Sequence, residues 1–285
     1  MRTRRTSATS TAAARPGWDS AVCPSAAQVG SHASWEGLVC AEYGRLAALT
    51  DGACVEPAVR VRCADGAGPG GDLHDAVLTP SGPRLILGDV KGHGEQAAPL
   101  AAALRTAFRD AAPTEADPVR LAHTLDTRIG PRLGPEDFVT VLLADFRLDE
   151  IRLVNCGHPP PLRTGRRLAP VTAPSPSPPL GLAPDPRMQR TRLHPDQRLL
   201  LYTDGLVEAR DGDGVFFPLD RHVHAALNAP TLDQALDRLL DLLLRHTGRT
   251  TTADDLTLIL LQRAPVPLPR HPCPRSASPF READP

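Results

Sequence analysis

The sequence predicts an α+β fold, and three observations carry the prediction. Apolar runs of strand length recur at 85–87, 138–146, 199–202 and 256–261. Between them lie longer segments with apolar residues on one helical face, such as Leu100, Leu104 and Phe108, or Leu232, Leu236, Leu239, Leu240 and Leu243. Finally, the runs 138–146 and 151–155 are separated only by a short turn around Leu148-Asp149-Glu150, which reads as an antiparallel hairpin.

Composition bounds what such a fold can be. With 285 residues, 41% of them hydrophobic, the chain can bury a sizeable core in one large domain or two small ones. A net charge of −1 leaves no electrostatic footprint for nucleic acid. The six cysteines are scattered without a C-x-x-C pair, which fits neither a zinc site nor a small disulfide framework and points to a reducing compartment. Basic residues at 1–5 are followed by no apolar stretch, so no secretory signal is expected, and no run approaches the ~20 apolar residues of a membrane span. The expectation is a soluble, cytoplasmic protein with no nucleic-acid or membrane partner.

Taken in order, residues 1–30 are rich in Ser, Thr, Ala, Arg and Pro without periodicity and read as disordered. A short amphipathic helix at 35–49 completes an N-terminal tail of 1–52, too short for a sensor domain. Val59 and Val61 alternate with Arg60 and Arg62, which predicts a strand over 58–63. The glycine-rich stretch 66–75 leads into a strand at 76–78. Because it precedes a strand and not a helix, the P-loop and dinucleotide fingerprints both fail on context.

Next comes the segment around which the chain is organised, 84–98. Leu85, Ile86 and Leu87 read as a buried strand ending at Gly88-Asp89, Gly92 and Gly94 punctuate, and a helix is predicted over 95–112. Asp117-Pro118 is an N-cap followed by an N1 proline and opens a second helix running to about Ile129. After the hairpin, the proline-dense segment 157–186 reads as a long surface loop; Gly157-His158 at its start could reach a site, although a lone histidine in a proline loop is more often solvated. A strand over 198–203 runs into Asp204-Gly205, a helix spans 231–246, and Asp254-Asp255 opens the last strand. From Ala264 to the end the chain is proline-rich and reads as a disordered tail, which leaves 53–263 as the folded domain.

Acids therefore recur where apolar strands begin or end: Asp72, Asp89, Asp204 and Asp254. Hard divalent cations take oxygen ligands, commonly two or more carboxylates. Strand-end acids also arise at ordinary turns, so the pattern alone decides little.

The motifs around those acids are more specific. Gly70-Gly71-Asp72, Gly88-Asp89-Val90-x-Gly92-His93-Gly94, Asn155-x-Gly157-His158-Pro159-Pro160, Tyr202-Thr203-Asp204-Gly205-Leu206-x-Glu208 and Asp254-Asp255-x-Thr257 occur in that order. Together they resemble the stage II sporulation protein E-type branch of the protein phosphatase 2C-like, metal-dependent serine/threonine phosphatases, over about residues 53 to 263. The resemblance implies a four-layer α-β-β-α sandwich of two mostly antiparallel sheets flanked by helices, with two Mn²⁺ or Mg²⁺ ions at one end. By motif position, Asp89 would bridge both ions and the Val90 carbonyl would bind one of them. Asp204 and Asp254 would hold the second ion, and Asp72 would hold the first, directly or through water. A metal-bridging hydroxide would then hydrolyse phosphoserine or phosphothreonine, with no phosphoenzyme. In this family the partner is often a phosphorylated anti-anti-sigma factor of the partner-switching type.

Two departures stand out. Leu73 and His74 follow Gly-Gly-Asp where an aromatic is usual, and Lys91, the only lysine in the chain, stands where animal relatives place a histidine two residues after the bridging acid. Lys91 and His93 are accordingly the candidates for contact with the substrate phosphate, with His93 or water to protonate the leaving group. The alternative to an enzyme is a non-catalytic phosphatase-fold module that binds a phosphoprotein partner as a switch. Retention of every acid of the metal motifs favours the enzyme.

Overall fold

The computed structural model describes residues 55–64, 70–92, 97–147, 150–249, 252 and 254–263. The two predicted tails, the predicted helix at 35–49, His93 and residues 95–96 of the helix expected from residue 95 lie outside the described residues. Among the described residues, ten strands form two five-stranded sheets, every strand pair within them antiparallel, and four α-helices flank them.

One sheet has the order β2-β3-β4-β5-β8, made of Asp72–Thr79, Gly82–Val90, Val139–Phe146, Ile151–Cys156 and Met188–Thr191. The other runs β1-β10-β9-β6-β7, made of Val55–Arg62, Leu256–Arg263, Arg198–Tyr202, Leu162–Arg163 and Ala169–Pro170. Side chains alternate across each strand, so every central strand feeds two cores. Leu85, Leu87, Leu199, Leu201, Ile259 and Leu261 meet between the sheets. Ile86, Leu143 and Val154 face the other way, against α1 (Ala98–Ala111) and α2 (Pro118–Ile129). Leu200, Leu258 and Leu260 pack against α3 (Arg221–Leu227) and α4 (Leu232–Thr247). The predicted α-β-β-α layering is thus the observed one. Strands buried on both faces read as unbroken apolar runs, which is why 199–202 and 256–261 lack alternation.

Helix boundaries follow their local chemistry. Asp117 caps α2 by accepting from the Val119 N–H at 2.9 Å, with Pro118 in the first turn. Thr231 accepts from the Gln234 N–H at the start of α4, and Gly248 ends it in the left-handed conformation. Leu236, Leu239 and Leu243 of α4 are fully buried, and Leu239→Ala would cost about 2–5 kcal/mol. None of the described helices is long and apolar enough to cross a membrane.

The strands differ from expectation in instructive places. β2 starts at Asp72, four residues earlier than predicted, and β3 extends to Val90. Both acids are therefore ladder residues and not turn residues, because each strand supplies the other's pairing partners to the end: Asp72 stands opposite Asp89. The proline-dense segment is not one loop, since Leu162 and Arg163 pair with β9 and β7. α3 and β8 were not predicted; both are too short for periodicity to register.

Candidate metal centre

Register puts two of the acids together. Asp72 opens β2 and Asp89 nearly closes β3, directly opposite each other in the ladder. By the alternation that sends Leu85 and Leu87 between the sheets, Asp89 points there too. The other sheet delivers its acids to the same end. β9 leads through Thr203 to Asp204, the first residue of a 3₁₀ turn, and its antiparallel partner β10 begins just after Asp254-Asp255.

Hydrogen bonds join the two groups across the sandwich. The hydroxyls of Thr203 and Thr257 both donate to Asp72 Oδ2, at 2.9 and 2.7 Å. The Thr257 N–H donates to Thr203 Oγ1 at 2.9 Å, which orients that hydroxyl toward Asp72. Asp72 Oδ1 is buried and has no hydrogen-bond partner. A buried acceptor left in that state is costly unless something else satisfies it.

Electrostatics describe the same convergence. Burial first, then the Asp204, Asp72, Asp254 and Asp255 carboxylates, push the Asp89 carboxyl up to about 8. Burial also lifts Asp72, to about 7, with Asp255 and Asp204 adding to it against the two threonine hydrogen bonds. Asp204 is raised by burial and by Asp254 and Glu208. The charges that weigh most on Asp89 are thus all carboxylates, a site short of positive charge. Among the described residues no three His, Cys, Asp or Glu side chains are closed into a metal cage. The donor set nevertheless fits a hard cation: oxygen ligands only, one with an unsatisfied buried lone pair, and mutual repulsion for a cation to relieve.

Backbone packing at Gly71 adds a further fit. A Cβ there would lie 2.6 Å from the Val90 carbonyl oxygen and 2.9 Å from Asp89 Oδ1, so only glycine lets these groups approach. Sequence reasoning missed the residue that holds this backbone. Asp255 is buried, and it accepts from the Gly71 N–H at 2.9 Å and the Ala64 N–H at 3.0 Å. Its neighbour Asp254 is exposed and faces the cluster as charge. The doubled acid was a visible signal, but only burial separates the two roles.

Lys91 is engaged elsewhere. Its ammonium donates to the Glu136 carbonyl at 2.9 Å and lies 5.5 Å from the centre of the Phe138 ring. His158, expected to be solvated, is buried within hydrogen-bond reach of Thr140 Oγ1 and the Tyr202 carbonyl.

Comparisons with known proteins bear on the family and the fold. The family model described as stage II sporulation protein E matches residues 80–264. Over 132 residues, 44% of this chain, the sequence is 29% identical to the phosphoserine phosphatase RsbP of Bacillus subtilis (strain 168). The match covers 33% of that relative, so the chain spans about a third of its length. The structure of the RsbU and RsbW domains of Rv1364c from Mycobacterium tuberculosis superposes with a TM-score of 0.62 at 30% identity, covering 75% of this chain and 61% of that one. The catalytic domain of the serine/threonine protein phosphatase PstP, in complex with two manganese ions, shares the fold with a TM-score of 0.52 at 17% identity, covering 73% and 97%.

Proposed function

The chain belongs to the stage II sporulation protein E family, and from that premise we propose that it is a metal-dependent phosphoprotein phosphatase acting on phosphoserine or phosphothreonine. The observation that carries the proposal is the Asp72 tie: acids from both sheets meet at one end of the sandwich, and two threonines of the second sheet fix the carboxylate of the first. Asp89, the Val90 carbonyl, Asp204, Asp254 and Asp72 would hold two Mn²⁺ or Mg²⁺ ions. Such ions supply Lewis acidity and lower the pKa of a bound water, which makes a nucleophile available at neutral pH.

The chain's own residues do the rest by placement. Thr203 and Thr257 occupy one oxygen of Asp72 and leave the other buried without a hydrogen-bond partner. Asp255 holds Gly71, and Gly71 lets the Val90 carbonyl and Asp89 close in. The substrate we propose is a phosphorylated signalling protein of the anti-anti-sigma type. Membership of the family, and the likeness to a phosphoserine phosphatase of Bacillus subtilis, support it.

Release of phosphate from an aryl phosphate, measured with Mn²⁺ and with EDTA, tests the activity. Wild type should turn over only with metal, and Asp89→Asn should fold and be inactive, because an amide is a much poorer ligand. Asp89→Asn with wild-type kcat at saturating Mn²⁺ would refute the dinuclear arrangement. Mn²⁺ binding with no turnover on aryl phosphate or phosphopeptide would favour the non-catalytic switch module.

A further inference from the structure

His158 joins the two halves of the site, and the arrangement above leaves its imidazole without a role. Asn155 closes the turn that carries it: its side-chain amide donates to the His158 carbonyl and its Oδ1 accepts from the His158 N–H, both at 2.8 Å. Gly157 between them has φ +70°, and a Cβ there would lie 2.5 Å from Pro179 Cγ. Backbone conformation and packing thus both require glycine, and the turn is held from three sides.

The ring so placed touches one strand of each sheet. Nδ1 is 2.9 Å from Thr140 Oγ1 on β4, and Nε2 is 3.1 Å from the Tyr202 carbonyl on β9. A carbonyl can only accept, so Nε2 carries the proton and Nδ1 accepts from the threonine hydroxyl. Of the two neutral tautomers, only this one satisfies both ring nitrogens. Thr140 stands directly opposite Asp89 in the β3–β4 ladder, and Tyr202 lies two residues before Asp204. The ring therefore spans the gap between the strand beside one acid and the strand leading to another.

Resting on the phosphatase reading, we propose that His158 is a positioning residue: a neutral crosspiece that sets the separation of Asp89 and Asp204 and thereby the affinity for the ion they would share. The apolar contacts between the sheets are non-directional and tolerate small shifts. A metal site needs its ligands held to within ~0.5 Å, which a directional bridge provides. Groups that orient metal ligands from behind typically alter metal affinity 10–100-fold when removed.

Two substitutions separate this role from a contribution to folding alone. The amide nitrogen of His158→Gln reaches the place of Nε2 and keeps the bond to the Tyr202 carbonyl. His158→Asn reaches only the place of Nδ1, keeps Thr140 and loses the link to the other sheet. Mn²⁺ binding to the full chain, followed by the EPR signal of free Mn²⁺, should show one ion bound at least tenfold less tightly in the Asn variant. In the Gln variant it should stay within threefold of wild type. Urea unfolding run in parallel identifies a purely structural role, in which affinity would follow the folded fraction in both variants alike and the proposal would fall. Were the Asn variant unfolded, His158→Leu, which fills much of the same space but offers no donor to the Tyr202 carbonyl, would replace it with the same tenfold expectation. Unchanged affinity in the Asn or Leu variant, with normal wild-type binding, overturns the role of His158 alone. Absence of Mn²⁺ binding by wild type overturns the phosphatase reading and this role together.

Discussion

Replacing Arg84 by methionine should remove a large fraction of the stability of this fold. Arg84 lies on β3 and is 0% exposed. Its guanidinium donates to both carboxylate oxygens of Asp145, opposite it on β4, with Nη2 at 2.7 Å. Nη1 also donates to the carbonyls of Ala112, at 3.0 Å, and Glu115, just past the C-terminus of α1. One side chain thus fastens the end of α1 to the sheet that carries Asp89. Methionine fills much of the same space, so the loss is chiefly electrostatic: a buried carboxylate without its partner, together with unsatisfied carbonyls. Breaking a buried pair costs about 3–5 kcal/mol. Arg147, 3.8 Å from Asp145 Oδ2, offers partial compensation and points to the lower end, about 3 kcal/mol. Against a total stability of ~5–15 kcal/mol, and a urea dependence of roughly 1–3 kcal/mol per molar, the midpoint should fall by about 1–3 M. The double variant Arg84→Met, Asp145→Leu should recover most of that, because replacing a buried pair by apolar groups is often neutral. Equilibrium urea unfolding of wild type, Arg84→Met, Asp145→Leu and the double variant closes the cycle. A loss under about 1 kcal/mol for Arg84→Met, or a double variant as unstable as the single, would refute the reasoning.

Metal removal should destabilise the folded chain, because EDTA leaves Asp72, Asp89 and Asp204 to repel one another; Mn²⁺ at ~100 times its Kd should contribute about 2.7 kcal/mol and raise Tm by roughly 5–10 °C. An unchanged melting curve at millimolar Mn²⁺ would count against any multi-carboxylate site. Burial holds His158 down at about 3, well below its ordinary 6.5, so the folded state resists a proton that the unfolded chain accepts. Its contribution is fully present above pH 6.5 and is lost as pH falls toward 3, by up to ~1.4 kcal/mol per pH unit. His74, held at about 4 by burial and Arg105, acts in the same direction, whereas Asp72 and Asp89, raised to about 7 and 8, gain stability on acidification. The difference between wild type and His158→Gln, unfolded in urea from pH 7 to pH 4, isolates the histidine; parallel curves would show that its ring is not buried neutral. Lys91→Ser should leave kcat/KM on a phosphopeptide within threefold, since the ammonium is committed to Glu136 and Phe138. A drop of tenfold or more would return Lys91 to the substrate.

Much of the fold was legible because its signals are local. The cap at Asp117, the periodicity of α4, the hairpin of β4 and β5 and the long apolar strands all follow from contacts within a few residues along the chain. The positions of the four acids were legible in the same way, as punctuation at the ends of apolar runs. What those acids share was not. Only pairing register sets Asp72 opposite Asp89, and only packing of one sheet on the other brings Thr203 and Thr257 to the Asp72 carboxylate across gaps of 131 and 185 residues. The same cause separates buried Asp255 from exposed Asp254, adjacent residues of identical type. It also turns His158 from a residue in a proline-rich stretch into a bridge between sheets. Sequence determines the type and local conformation of a side chain; its partners at long range, and hence its burial, charge state and chemistry, are decided when two sheets bury their apolar faces against each other and carry their polar ends together.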